Sequence, residues 1–135
     1  MTKQVRSTVL CACGSGQAAG RCCEPFISGR ALPPTADALM RSRYSAYVAR
    51  VVPYVLETWH PSTRPRALAL DPSVKWLGLN VKRHEVDRSD PDRAIVEFVA
   101  RSRVAGRGQR LHEVSRFVRA GGRWFYVDAE PSVHT

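Results

Sequence analysis

All four cysteines of the 135-residue chain lie within thirteen residues, as Cys11-Ala-Cys13 and then Cys22-Cys23. A disulfide within either pair would close a very small and strained ring. One tetrahedral ion, with metal–sulfur bonds of about 2.3 Å, can instead take two thiolates from each segment. The spacing therefore predicts a zinc site, with iron as the alternative ion because thiolates bind both. A structural disulfide and a redox-active dithiol are the competing interpretations.

The residues between the two cysteine pairs are typical of a metal knuckle. Gly14 and Gly16 allow the tight or left-handed backbone that folds a chain back over a short distance. Backbone N–H groups beside them can point towards the sulfurs, and Arg21 is a candidate counter-charge. Four thiolates leave no coordination position for water, so we expect a structural site and not a catalytic one.

The composition adds a strong positive charge. The chain has 21 Lys+Arg against 12 Asp+Glu, a formal net charge of +9, and all but three of the basic residues are arginines. The planar guanidinium binds phosphate and carboxylate, which favours an anionic partner. The alternative is a set of solvated arginines without a partner, since they form no dense run. No apolar run could span a bilayer, and residues 1–10 lack the apolar stretch of a signal peptide, so we expect a cytoplasmic protein without a membrane partner.

Two helices and then four strands are expected after the knuckle. Thr35 as a capping residue and Asp37 in the first turn predict a helix whose apolar stripe runs from Ala36 to Val51, with Arg41 and Ser45 on the opposite face. A second, short helix is predicted over 54–59, between two prolines. Alternating patterns and turn signals then predict strands near 77–81, 94–104, 110–119 and 123–129. This order indicates an α+β fold with an antiparallel sheet curled around the first helix.

Polar residues of this second part could line a pocket. Glu113 shares a strand face with Leu111 and Phe117, which we predict to be concave, and a carboxylate there needs a partner. The candidate pocket residues are Arg43, Tyr44, His60, Glu113, Tyr126 and Asp128. In the alternative interpretation Arg43, Glu113 and Asp128 form an ion-pair network that locks helix to sheet. The sequence contains no Ser-His-Asp order, glycine-rich phosphate loop or HExxH motif, so it does not indicate an enzyme.

The cysteine segment, Cys11-Ala-Cys-Gly-Ser-Gly followed by Cys22-Cys23, resembles the SEC-C metal knuckle of the SecA motor and of several small bacterial proteins. Some relatives have His as the last ligand, where this chain has Cys23. Three further segments, 34–47, 58–64 and 111–128, resemble the YchJ family of bacterial proteins. The resemblance implies a zinc knuckle over 1–30, followed by a cystatin- or nuclear-transport-factor-like cone over 31–135, and no particular reaction.

Two functions are compatible with these patterns. The first is a binding or adaptor module that recognises a protein or a ribonucleoprotein, such as the ribosome, through a basic knuckle with Arg21 and Arg30 as contacts. The knuckle of SecA binds the chaperone SecB and ribosomes, which is what the resemblance adds to this hypothesis. The second is a small-molecule-binding protein, or an isomerase- or dehydratase-like enzyme, that uses the pocket of the cone.

Overall fold

The structure is a computed structural model and describes residues 9–130. The expected knuckle and cone each include a terminal piece, 1–8 and 131–135, that lies outside these residues. In the described part, three helices precede a four-stranded sheet: α1 Glu24–Ile27, α2 Ala36–Ala49 and α3 Val52–Glu57, then β1 Val74–Val86, β2 Arg93–Val104, β3 Arg107–Ala120 and β4 Arg123–Ala129. The predicted α+β class is confirmed. No helix of 9–130 is long and apolar enough to cross a membrane.

Helix α2 begins and ends where local chemistry favours it. The Thr35 hydroxyl accepts a hydrogen bond from the Ala38 N–H at 3.3 Å, as expected of a capping residue. The helix ends at Arg50, which adopts the left-handed conformation with φ of 61°. Pro53 lies in the first turn of α3, where its missing N–H costs no hydrogen bond.

The sheet is an antiparallel meander in the order β1-β2-β3-β4. Ala105 and Gly106 form a two-residue turn between β2 and β3, both with positive φ. The sequence predicted a longer turn here, over 106–108, and β3 therefore begins earlier than expected. Register shifts interrupt the β1–β2 pairing twice and the β3–β4 pairing once. Such bulges bend strands, and the sheet wraps around α2 as predicted.

One hydrophobic cluster joins α2, the sheet and the cysteine segment. Leu39, Met40 and Tyr44 of α2 pack in it with Val96, Phe98 and Phe117 of the sheet and with Cys11, Cys13 and Cys23. The free edge of β4 is covered by the segment after α3, because the Tyr126 N–H donates to the Thr58 carbonyl at 2.9 Å and the His60 N–H donates to the Tyr126 carbonyl at 2.7 Å. The division into domains at residue 30 stays a prediction.

Candidate metal centre

A short hairpin brings the two cysteine pairs together. The Cys11 N–H donates to the Gln17 carbonyl and the Ala19 N–H to the Val9 carbonyl, each at 2.8 Å. Gly14 and Gly16, with φ of 79° and 83°, make the reversal between these arms. A 3₁₀ turn, Ala19–Arg21, then leads to Cys22, and Cys23 caps α1. The knuckle backbone is as the glycine spacing predicted.

The four sulfurs have the spacing of a tetrahedral metal site. They all lie within 4.8 Å of one another. The Sγ atom of Cys22 is 3.5 Å from that of Cys13 and 3.9 Å from that of Cys23. Two sulfurs bound to one tetrahedral ion at about 2.3 Å each are separated by about 3.8 Å. All four thiols are free, so the cluster matches a single-metal site and not a pair of disulfides.

Burial closes this site on nearly all sides. Cys13 and Cys23 are 0% and 2% exposed, Cys11 is buried as well, and Cys22 is half-buried. Four thiolates complete the tetrahedron, so an ion held here would have no position for water or substrate. The donor set therefore fits a structural ion, which would order the backbone around it without polarising a reactant.

The protonation of these thiols depends on their neighbours. The hydrogen bond from Cys13 holds the pKa of Cys11 low, whereas the pKa of Cys23 is raised because it shares its proton with Cys11 and Cys13. Burial raises the pKa of Cys22. Four adjacent thiolates repel one another, so a bound cation is what would allow all of them to be deprotonated together.

Residues of α2 and of the knuckle support the cysteines. Arg41 donates from Nη1 to the Cys13 carbonyl at 2.9 Å and lies 3.9 Å from its sulfur. The Ser45 hydroxyl is 3.5 Å from the Cys11 sulfur, and the Ser15 hydroxyl is 3.1 Å from the Cys22 sulfur. Such contacts orient thiolates and offset their charge.

The predicted counter-charge, Arg21, does not contact the cysteines. Arg21 was the candidate counter-charge, yet it is exposed, and within 9–130 no hydrogen bond or ion pair of its side chain is found. Arg41 takes that place because the α2 face opposite the apolar stripe packs against the knuckle. The available sequence signal was the position of Arg41 and Ser45 one turn apart on the helix face opposite the apolar stripe. Ser45 proves to be buried, as expected if this face packs against another segment.

Gly14 shows how closely the knuckle lies against the sheet. A Cβ atom added at Gly14 would be 2.9 Å from the Leu79 carbonyl oxygen of β1. A Cβ atom at Gly16 would meet nothing within 4 Å. The glycine at position 14 is therefore needed both for its positive φ and for this close approach.

Arg43, the first of the predicted pocket residues, is a buried cation. It is 4% exposed, and its Nη1 donates to the Val55 carbonyl at 2.8 Å and to the Thr58 hydroxyl at 2.7 Å. The guanidinium lies 4.6 Å from the ring centroid of Tyr126 and 5.2 Å from that of Trp59. Burial lowers the pKa of Arg43. No carboxylate among the described residues pairs with it, so the predicted ion-pair network with Glu113 and Asp128 is not formed.

Glu113 lies on the concave side of the sheet, as its strand face predicted. It is half-buried, and burial raises its pKa. Burial raises the pKa values of Tyr47 and Tyr126, and the nearby charge of Glu113 raises them further. Arg43 and Tyr44, the candidate pocket residues of α2, do not reach it, and in the part of the chain that the structure describes its carboxylate forms no hydrogen bond or ion pair.

The two predicted pocket tyrosines are core residues. Tyr44 is buried and packs edge-on against Trp76, with 5.8 Å between the ring centroids. Tyr126 packs edge-on against Trp59 at 5.1 Å and against Phe117 at 5.8 Å. Aromatic pairs of this geometry stabilise a packed interior.

His60 and Asp128 lie on the outer face of the sheet, away from Glu113. Asp128 accepts hydrogen bonds from Arg116 at 2.6 and 3.0 Å. The His60 ring is 2.7 Å from the Ser62 hydroxyl, and both His60 and Asp128 border a shallow outer groove of about 1290 Å³. Asp128 and Tyr126, both candidate pocket residues, lie on opposite faces of β4, because the β3–β4 bulge inserts Val127 and reverses the alternation of side chains.

Comparison with known proteins agrees with this fold and with the cysteine cluster. Residues 35–129 match the family described as YchJ, middle NTF2-like domain. A UPF0225 protein from Ralstonia nicotianae is 56% identical, over 91% of this chain and 92% of the relative. One from Chromobacterium violaceum is 53% identical, over 94% and 96%.

Solved structures give the same result. A SEC-C motif containing protein from Rhodopseudomonas palustris, solved in solution, superposes with a TM-score of 0.80 at 34% identity, over 91% of this chain and 98% of that one. The crystal structure of a SEC-C motif containing protein from Psychrobacter arcticus has a TM-score of 0.76 at 27% identity, over 96% and 88%.

Proposed function

This chain belongs to the YchJ family, and we propose that it is a binding module in which a zinc ion fixes a basic knuckle against the NTF2-like domain. The closed and buried thiolate cluster is the observation that carries this proposal. An ion with four sulfur ligands has no free position, so it orders the chain but activates no reactant. A knuckle this short has little core of its own, and metal binding would supply much of its folding energy.

Zinc is the proposed ion because tetrahedral four-cysteine sites are a common form of structural zinc site. Zn²⁺ also brings no redox chemistry to a buried site. Ferrous iron accepts the same ligands and is the alternative that elemental analysis would identify. A reducing compartment such as the cytoplasm, where the four thiols stay available, belongs to this proposal.

The proposed partner is a protein or a ribonucleoprotein with an acidic surface. Arg21 lies in the turn before Cys22 and is exposed. Its guanidinium forms no ion pair with a carboxylate of the described residues. Arg30 is exposed too, but its guanidinium lies 3.1 Å from Glu24, which offsets part of its charge. Arg21 is thus expected to contribute more to binding than Arg30.

The test is affinity capture with metal-loaded protein, comparing Arg21→Glu with Arg66→Glu. Arg66 is a matched control because it is also exposed and forms no ion pair within 9–130, but it lies in the linker between α3 and β1. Capture runs with and without ribonuclease separate a protein partner from a ribonucleoprotein. A partner retained by the wild type and Arg66→Glu, and lost with Arg21→Glu, supports the proposal. Equal capture by Arg21→Glu would refute the role of the knuckle surface.

One observation favours a second candidate, a small-molecule site inside the cone. Glu113 is half-buried without a hydrogen-bonding partner in the described chain, and its pKa is raised. A raised pKa means that the carboxyl group keeps its proton to a higher pH than usual, and in the protonated form it can donate a hydrogen bond to a ligand. A metabolite screen by thermal shift tests this: a compound that stabilises the wild type but not Glu113→Gln, while other variants still respond, would make the cone the working site.

A further inference from the structure

The outer face of the sheet divides into two halves of different charge. In one half the basic side chains have carboxylate partners. Arg83 lies 3.0 Å from Glu85 and from Glu97, and His112 lies 2.7 Å from Glu97. Arg116 pairs with Asp128 at 2.6 Å. In ion pairs of this kind, the carboxylate offsets the positive charge of the side chain that it contacts.

The other half carries exposed basic residues without such partners: Lys75, Lys82, Arg101, Arg103 and Arg110. Within residues 9–130, none of them forms an ion pair with a carboxylate. We call this region the basic half of the outer face. In the register of the sheet, two pairs of like charge are directly opposite, Lys75 with Arg103 and Arg101 with Arg110. Like charges at opposed positions destabilise a sheet, so packing does not explain their presence.

A small groove of about 220 Å³ lies within the basic half, bordered by Lys82, Arg101 and Arg110 and by the neutral amide of Asn80. Among residues 9–130, no carboxylate borders it. The floor is open at Gly78, where an added Cβ would meet nothing within 4 Å and where φ is not positive. Gly78 directly follows a bulge in β1. Because Gly78 has no side chain, a ligand group has room to approach the backbone there.

We propose that the basic half of the outer face binds the sugar–phosphate backbone of double-stranded RNA. The cations cover three strands about 4.8 Å apart and recur about 6.8 Å apart along β2, which suits a row of phosphates better than one isolated anion. No aromatic side chain of the described chain borders the groove, so these residues offer no platform for stacking unpaired bases. Asn80 offers a donor and an acceptor to a ribose 2′-hydroxyl, the group that distinguishes RNA from DNA.

The surface lies on the body of the sheet, and its RNA binding does not depend on the proposed role of the knuckle. The test uses the full, metal-loaded chain and fluorescence anisotropy with a labelled 20-base-pair RNA duplex. Removing two cations with Arg101→Gln and Arg110→Gln together should weaken binding by about tenfold and make the salt dependence shallower by about two counterions. The control pair Arg66→Gln and Arg88→Gln removes the same charge from exposed positions outside this half.

Three results decide the proposal. The proposal is supported if the Arg101/Arg110 double variant loses affinity while the control double variant changes little. An equal loss in both double variants would show that only the net charge matters, and would refute the proposal. Absence of duplex binding by the wild type near physiological salt overturns it. The RNA assignment is tested with DNA of the same sequence: Asn80→Ala should weaken RNA binding only, and equal wild-type affinity for both duplexes would refute it. Thermal melting of the Arg101/Arg110 pair should show no loss of stability, because a like-charge contact has been removed.

Discussion

The contact between the knuckle and β1 can be tested by adding one side-chain carbon at Gly14. Gly14→Ala adds a Cβ 2.9 Å from the Leu79 carbonyl oxygen at a residue whose φ is +79°. A non-glycine residue in the left-handed region costs about 1–2 kcal/mol. Overpacking against a rigid neighbour costs a further amount of about 1–3 kcal/mol. We expect the free energy of unfolding of the metal-loaded protein to fall by about 3 kcal/mol, near the middle of the summed range.

Gly16→Ala separates the two contributions. Gly16 has a φ of +83° and open space around its missing Cβ, so it carries the backbone cost alone. The difference between the two variants, about 1–3 kcal/mol, then measures contact between the knuckle and the sheet. Denaturant titrations followed by tryptophan fluorescence give both values. Because the clash lies between knuckle and body, Gly14→Ala should also release metal to a chelator faster than Gly16→Ala. Equal losses of stability in the two variants would show that the knuckle does not press on β1 in solution.

Three other results are expected. Elemental analysis of protein purified without chelator should find one metal ion per chain, and metal-free protein with four titratable thiols would contradict this. Arg41→Met should lower metal affinity in a chelator competition, whereas Arg21→Met should not, because only Arg41 donates to the Cys13 carbonyl; a larger effect at Arg21 would restore the sequence-based assignment. Glu113→Gln should raise the free energy of unfolding at neutral pH. The half-buried carboxyl of Glu113 has a pKa above its ordinary value of 4.5, so its stabilising contribution is lost as pH rises through that raised pKa. The gain should vanish below about pH 4, and a stability loss at pH 7 would mean that the carboxylate has a partner in solution.

The cysteines lie in the same core as α2 and the sheet, so the loss of the metal concerns more than the knuckle. Cys11, Cys13 and Cys23 share a hydrophobic cluster with Leu39 and Phe98. Removing the ion would therefore leave mutually repelling or protonated thiols inside the core that also holds α2 against the sheet. Metal loss is expected to lower the stability of the whole chain and not of the knuckle alone.

Features that depend on neighbours in the sequence were predicted closely. The clustering of cysteines around Gly14 and Gly16 indicated a metal site, and the sulfurs do converge. Thr35 marked the start of α2, and the Gly121-Gly122 pair marked the last hairpin. Capping, turn formation and the strain of small rings act over a few residues, so the sequence alone contains the information that decides them.

Contacts between distant segments were decided only by the tertiary structure. Arg41 reaches the carbonyl of Cys13 across 28 positions of the chain, which no local pattern specifies. Tyr126 of β4 lies on the inner side of the sheet, but the insertion of Val127 in a bulge turns Asp128 to the outer face and towards Arg116. A bulge depends on how two strands pair and how the sheet bends around a helix, and both are properties of the packed core. The sequence by itself therefore determined which residues could bind a metal and where α2 begins. The tertiary structure decided which arginine supports the thiolates, because that depends on which helix face the knuckle covers.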